Sequence, residues 1–208
     1  DMKIRNTTDG DFDAFFRGCK TKLEHASREL FPEGRPQRSA MHQGRIGDCC
    51  LLAVIGSLVT HRPDDVKRLI QGNTKEGYRL HFADRPVVHI APLTDAEIAL
   101  CGTAGRNGLW LAVLEKGIGE VHRQGYKEMR TPEPTDTLAT GPHTVSVPME
   151  LLTGHRCETI GIPTASEGHH KLAAAEERLH AILPHVKHSS RVCVAPSRDS
   201  RPAPPGMA

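Results

Sequence analysis

The stretch that decides the fold reads Gln43-Gly-Arg-Ile-Gly-Asp-Cys-Cys-Leu-Leu-Ala-Val-Ile-Gly-Ser-Leu58. Its first half is a polar loop that contains two glycines, and its second half is apolar on nearly every side. This pattern predicts a turn that leads into a helix buried all round, rather than a helix on the surface. Asp48 stands directly before the apolar run, where a carboxylate accepts from the first free amides of a helix. We therefore expect Asp48 to cap this helix and Cys49 to lie in its first turn.

A cysteine in that position has a physical reason to react. The thiolate is the nucleophilic form, and the free amides and positive dipole end of a helix favour it. Gln43, six residues before Cys49, carries a side-chain amide that can donate to the oxygen on which negative charge develops during acyl transfer. The alternative is an inert core cysteine, because a thiol beside Leu and Val is usually only packed. The polar residues in front of Cys49 favour the reactive interpretation.

The same stretch resembles the nucleophile segment of the calpain-type cysteine proteases, whose pattern is Gln-Gly-x-x-Gly-Asp-Cys-Trp-Leu-Leu-Ala-Ala followed by Ser-Leu. Leu109-Trp-Leu-Ala-Val-Leu-Glu-Lys-Gly117 is similar to that family's Leu-Trp-x-x-Leu-Leu-Glu-Lys-Ala helix, and Met149-Glu-Leu-Leu-Thr-Gly154 falls where the family has Leu-Thr-Gly-Gly. The resemblance implies an α+β, papain-like fold that hydrolyses peptide bonds through an acyl-enzyme. It also implies that Cys49 is the nucleophile, that Gln43 is the oxyanion-hole donor and that Asp48 is structural.

Two departures from the family pattern limit what the resemblance implies. Cys50 replaces the tryptophan that follows the nucleophile. The resemblance places Ala40 and Met41 around the position where the family has the acidic residue that helps to hold calcium. We therefore expect no cofactor, with calcium only a family possibility. A catalytically inactive calpain-like binding or regulatory module remains the alternative function.

The nucleophile needs a histidine that takes and returns the proton, and usually an Asn or Asp that orients it. The chain has thirteen histidines. His155 follows a glycine, but its context aligns better with Leu-Thr-Gly-Gly, so we reject it as the base. We expect the catalytic His and Asn beyond Ala208, and we expect residues 1–208 alone to be inactive.

The resemblance and the local patterns divide the chain into three parts. Residues 1–35 are predicted to be an N-terminal arm of short helical pieces, residues 36–163 a mainly helical nucleophile lobe, and residues 164–208 the beginning of a sheet-rich second lobe. Periodicity predicts helices over residues 63–70, from 109 onward, over 149–154 and from 166 onward, and strands over 77–82, 87–90, 157–162 and 191–195. Pro184 is predicted to end or kink the last helix. In the helix from residue 109 the pattern puts three charged residues outside the apolar stripe: Glu115, Lys116 and Glu120.

Composition excludes several classes of function. The 208 residues carry a formal net charge of only +2 and 4% aromatic residues, which argues against a nucleic-acid partner. No apolar run approaches the length of a membrane span. The expected partner is thus a protein or peptide substrate, and the pattern leaves the oligomeric state open. The first residue is not Met, so we expect the natural start to be missing.

The cysteine pattern points to a reducing compartment. Six cysteines show no C-x-x-C pair, and a chain of this size does not need disulfides. We therefore expect an intracellular, cytoplasmic protein. A His-rich metal-binding protein is a third possibility, but no spacing of its His and Cys residues supports a zinc site.

Overall fold

The computed structural model describes residues 9–125, 138, 145–157 and 169–188. It contains seven helices and three strands in these residues, together with short 3-10 turns at Arg38–Ala40 and Gly105–Asn107. In chain order the elements are α1 (Asp9–His25), α2 (Cys49–His61), α3 (Pro63–Leu69), β1 (Ile70–Asn73), β2 (Gly77–Leu80), β3 (Val88–Ile90), α4 (Asp95–Leu100), α5 (Trp110–Gly125), α6 (Ser146–Thr153) and α7 (His169–His188). The predicted α+β class is confirmed.

Helix α2 forms as the apolar run predicts. Six of its residues are buried: Leu51, Val54, Ile55, Gly56, Leu58 and Val59. The first residue of the helix, Cys49, remains exposed. Most of the helix therefore packs in the core, and its N-terminus lies at the surface.

The three strands form one antiparallel sheet in the order β1-β2-β3, with Ile70 opposite Leu80 and Tyr78 opposite Ile90. Strands β2 and β3 fall inside the predicted segments. Strand β1 was not predicted, and the helix expected to reach Ile70 ends one residue earlier. Only Ile70 of this strand is buried, so its sequence lacks an apolar alternation, and its pairing with β2 makes it a strand.

Helix α5 lies at the centre and packs against all three strands. Its apolar stripe is buried as predicted, but the prediction for its charged residues is wrong. Glu115 is 0% exposed, Lys116 6% and Glu120 8%. Neighbouring elements enclose the helix on its charged side as well. Lys116 pairs there with Glu97 of α4.

In the described part of the N-terminal arm, α1 runs without a break from Asp9 to His25, rather than as several short pieces. It packs against α4. Lys22 donates from its ammonium to the backbone oxygens of Ala99 and Cys101. The arm is therefore fixed to the segment that follows α4.

Helix α6 ends as predicted at Gly154, which adopts a left-handed conformation with φ of 72°. Pro184 was predicted to end or kink this helix; α7 continues through Pro184 to His188, so the proline does not end it. Cys157 lies outside any strand. The rest of the predicted strand over 157–162, the Ser166 cap, the domain boundary near residue 163, the strand over 191–195 and the Pro-rich tail lie outside the described residues. Among the helices that the structure describes, none is long and apolar enough to cross a membrane.

Candidate active site

The loop that precedes Cys49 is tied by its backbone to the segment after α4. The His42 N–H donates to Thr103 O (2.8 Å), and the Thr103 N–H donates back to His42 O (2.9 Å). The Arg45 N–H donates to Leu100 O (2.7 Å). A Cβ at Gly44 would overlap the carbonyl oxygens of Leu100 and Cys101. Gly44 is thus required for a close approach to the protein's own backbone, a role the sequence pattern did not show.

Gln43 lies at the surface of this fixed loop. Its side-chain Nε2 donates to Ile46 O at 3.3 Å, which closes the loop locally. Gln43 also lines an open cavity of about 330 Å³ between the loop and helix α1. The cavity's other lining residues come from these two segments and from the residues around the end of α4: Gly18, Cys19, Lys22, Gly44, Arg45, Ala99 and Thr103. Gln43 therefore combines a fixed backbone with an accessible amide.

Cys49 is the first residue of α2 and is exposed. This accessibility contradicts the alternative of an inert core cysteine. Its neighbour Cys50 is half-buried, and burial, followed by the proximity of Cys49, raises the pKa of the Cys50 thiol. Cys101 behaves as a core thiol, because burial and then the Glu115 carboxyl raise its pKa strongly. Of these three thiols, Cys49 is the accessible one.

Asp48 occupies the N-cap position of α2, but the prediction that its side chain caps the helix is wrong. The structure shows no side-chain cap hydrogen bond there. Asp48 is only 3% exposed, and its carboxyl lies beside that of Glu115, whose pKa is raised by burial first and then by this neighbour. The backbone N–H of Gly102 donates to Glu115 Oε2 (2.7 Å). Asp48 thus points into the core and joins the nucleophile loop to helix α5.

Sequence reasoning missed Glu115 because it placed this residue on the polar side of its helix. The available signal was its helical neighbourhood. The residues three and four positions away on either side are all apolar or glycine: Leu111, Ala112, Ile118 and Gly119. A carboxyl surrounded in this way shares the buried face of the helix.

The remaining candidate side chains are dispersed. His155, rejected as a base from the sequence, is exposed just after α6, and its N–H donates to Thr153 Oγ1 (3.3 Å). The cysteines at 19, 49, 50, 101 and 157 are free thiols. Within the described ranges, no three His, Cys, Asp or Glu side chains come together as metal ligands.

Comparison with known proteins adds a match over most of the chain. A family model described as calpain family cysteine protease matches residues 19–199. This range contains the Gln43 loop, the Trp110 helix and the Gly154 turn. No curated protein and no solved structure matches the chain.

Proposed function

The chain belongs to the calpain family of cysteine proteases, and from this premise we propose that it provides the nucleophile of an endopeptidase that cleaves protein or peptide substrates. One observation carries the proposal. The thiol of Cys49 is exposed at the N-terminus of a buried helix, directly after a loop that presents the Gln43 amide. Free helix amides at this position can donate to an oxyanion.

In the proposed mechanism the Cys49 thiolate attacks the carbonyl carbon of the scissile bond. A C–S bond forms, and the carbonyl oxygen takes the negative charge, which the Gln43 Nε2 and the Cys49 N–H stabilise by donation. The C–N bond then breaks, and the amine leaves with a proton that the protonated general base returns. Water hydrolyses the resulting thioester and regenerates the Cys49 thiol. The hydrogen bond from Gln43 to Ile46 O leaves the second amide hydrogen for the oxyanion.

The general base remains a prediction, with its His and Asn expected beyond residue 208. The corresponding expectation for the 208-residue chain is that Cys49 reacts with small electrophiles but does not turn over peptides. Cysteine-dependent hydrolysis by this chain that is lost on His155→Ala would instead identify His155 as the base.

The residues present do not fit the calcium position implied by the family. Ala40 and Met41 are apolar, half-buried side chains that pack against the hydrophobic core. Oxygen ligands, which calcium requires, are not provided by either side chain. We propose that this position binds no calcium. The thermal unfolding midpoint should then be the same in calcium and in a chelator.

The direct test is the alkylation of the native protein with iodoacetamide, followed by peptide mass mapping. Cys49 should be labelled at least about tenfold faster than the half-buried Cys19 and Cys157, since reactivity follows thiolate fraction and access. In a form of this protein that hydrolyses peptides, Cys49→Ser should reduce the hydrolysis by at least about a thousandfold. Cys50→Ser is the matched control and should keep most of the activity. Equal labelling of the three cysteines, with hydrolysis unaffected by Cys49→Ser, would contradict the proposal.

A catalytically inactive module is the second candidate, and the half-buried Cys50 in place of the family's tryptophan favours it. The two functions differ in one result. In a binding module, Cys49 would still be labelled and peptides would still bind, but no form of the protein would hydrolyse peptides at any pH.

A further inference from the structure

We infer that Asp48 and Glu115 share one proton as a buried carboxyl pair, and that this pair positions the loop carrying Gln43 and Cys49. The consequence of this carboxyl pair for catalysis rests on the proposed function, but the existence of the pair does not. Asp48 directly precedes the nucleophile, and Glu115 lies on the central helix α5. The pair therefore links the candidate active site to the core.

Both carboxyls of the pair are closed off from water. Glu115 is 0% exposed and Asp48 3%. A Cβ at Gly102 would lie 2.9 Å from Glu115 Oε1 and 3.1 Å from Leu111 Cδ2, so only a glycine lets this backbone reach the carboxyl. The Gly102 N–H uses this access to donate to Glu115 Oε2. Glu115 thus contacts two segments at once, the loop before α2 and the segment after α4.

Two ionised carboxylates cannot form a hydrogen bond, because both are acceptors only. One proton between them turns one partner into a donor and removes the repulsion of two buried negative charges. Burial and then the neighbouring Asp48 raise the pKa of Glu115 well above the ordinary carboxyl range. With the shared proton, the pair carries a single negative charge.

The electrostatic surroundings of the pair are known for the part of the chain that the structure describes. Charged or titratable side chains reach the cluster from α1, from α4 with the residue after it and from the loop before α2: Cys19, Lys22, Glu97, Cys101 and Arg45. The Lys22 ammonium donates to the backbone oxygens of Ala99 and Cys101. Burial lowers the pKa of Lys22, and burial raises that of the Cys101 thiol. Lys22 lowers the pKa of Glu115, but burial and Asp48, which raise it, are the larger causes, and the Cys101 thiol remains neutral.

The pair acts on Cys49 through the backbone. Asp48 is held by Glu115, and Glu115 is held by the same 100–103 segment that receives the Arg45 and His42 amides. The loop is thereby fixed at both of its ends, by backbone hydrogen bonds near Gln43 and by the carboxyl pair at Asp48. Loss of the pair frees the end that places Cys49, so Asp48 and Glu115 are positioning residues.

An amide can replace the shared proton, and this provides the test. In Glu115→Gln the side-chain oxygen still accepts from Gly102 and the NH₂ donates to an ionised Asp48. Asp48→Asn supplies the same donor from the other partner. Glu115→Ala provides neither. The matched control is Glu120→Gln on the same helix, where Arg123 hydrogen bonds lower the carboxyl pKa and the pH effect has the opposite sign.

The first measurement is urea unfolding of the 208-residue chain between pH 5 and pH 9. A carboxyl with a raised pKa stabilises fully below its unfolded pKa, and this stabilisation is lost as the pH rises towards the folded pKa. The folded-to-unfolded ratio of the wild type should fall by up to about tenfold per pH unit in this window relative to Glu115→Gln. An identical pH dependence of the two proteins would overturn the inference. So would a failure of both amide variants to fold, because each supplies the donor.

The second measurement separates positioning from simple stability. The rate of Cys49 alkylation is divided by that of Cys19 in the same sample. Glu115→Ala should change this ratio by at least about threefold at pH 7, because access to the thiol sets the rate. Glu115→Leu replaces the alanine variant if that variant does not fold. Glu115→Gln should keep the ratio within about twofold of the wild-type value. A ratio that is the same in all variants would refute positioning. If Cys49→Ser leaves hydrolysis intact while both measurements succeed, the proposed function fails and the carboxyl pair stands.

Discussion

Replacing Lys116 with Met should destabilise the protein far more than the loss of a surface charge would. Lys116 Nζ lies 2.8 Å from Glu97 Oε1, and the two side chains are only 7% and 10% exposed. The ammonium also donates to Pro92 O at 3.3 Å. Methionine keeps most of the volume of lysine but removes the charge. Glu97 is then a buried carboxylate without its cation.

The magnitude follows from what Glu97 retains. Removing one partner of a buried ion pair lowers the free energy of unfolding by about 3–5 kcal/mol. Glu97 keeps the capping-box hydrogen bonds from the Thr94 N–H (2.8 Å) and the Thr94 Oγ1 (3.0 Å), so the lower end, about 3 kcal/mol, is expected. For a domain of this size about 1 kcal/mol shifts the midpoint by about 2–4 °C. Lys116→Met should therefore lower the thermal midpoint by about 6–12 °C.

Urea unfolding followed by circular dichroism measures this difference, with two controls. Lys20→Met removes a pair at 3.9 Å whose side chains are 68% and 56% exposed, and its effect should stay within about 0.5 kcal/mol. Adding Glu97→Gln to Lys116→Met should recover at least about 1 kcal/mol, because a neutral amide is less costly to bury than an unpaired carboxylate. A cost of Lys116→Met below about 1 kcal/mol would refute the reasoning.

Three further changes test other parts of the structure. Gly154→Ala forces a Cβ into the left-handed end of α6, 2.9 Å from the Ala83 Cβ, and should cost about 1–2 kcal/mol in urea unfolding. Asn107→Ala deprives the buried Trp110 indole N–H of its 2.9 Å acceptor, and should cost about 2–3 kcal/mol and change the fluorescence of the single tryptophan. Arg123→Met removes the hydrogen bonds that lower the pKa of Glu120. Because this stabilisation is present above the ordinary carboxyl pKa and is lost at lower pH, wild type and variant should differ at pH 7, by less than about 1 kcal/mol, and converge towards pH 3.

The sequence predicted those elements whose signal is local. The apolar run after Cys49 identified α2, and the glycine at 154 marked the end of α6. Strand β1 has no such signal, because Ile70 alone of its residues is buried and its partner Leu80 lies ten residues further along the chain. The proline at 184 indicated a helix end or kink, and α7 does not end there.

The candidate site divides in the same way. Cys49 and Gln43 follow from a contiguous motif, and the structure leaves both accessible. The Glu115 contact could not be predicted, because its partners lie at Asp48 and Gly102, far away in sequence. The error at Asp48 has the same origin. A carboxylate before a helix usually caps it, and here a second buried carboxyl draws the side chain inward.

The motif glycine at position 44 shows why the fold and the candidate site depend on each other. Gly44 fits because the carbonyl oxygens of Leu100 and Cys101 occupy the space of its absent Cβ. Those oxygens are placed by α4, which its buried pair with Lys116 holds against α5. Loosening α4 should therefore loosen the Gly44 loop, which in turn changes the position of the Cys49 sulfur. The spacing from Gln43 to Cys49 specifies the chemistry, but the distance between amide and thiol is set by contacts with α4 and α5.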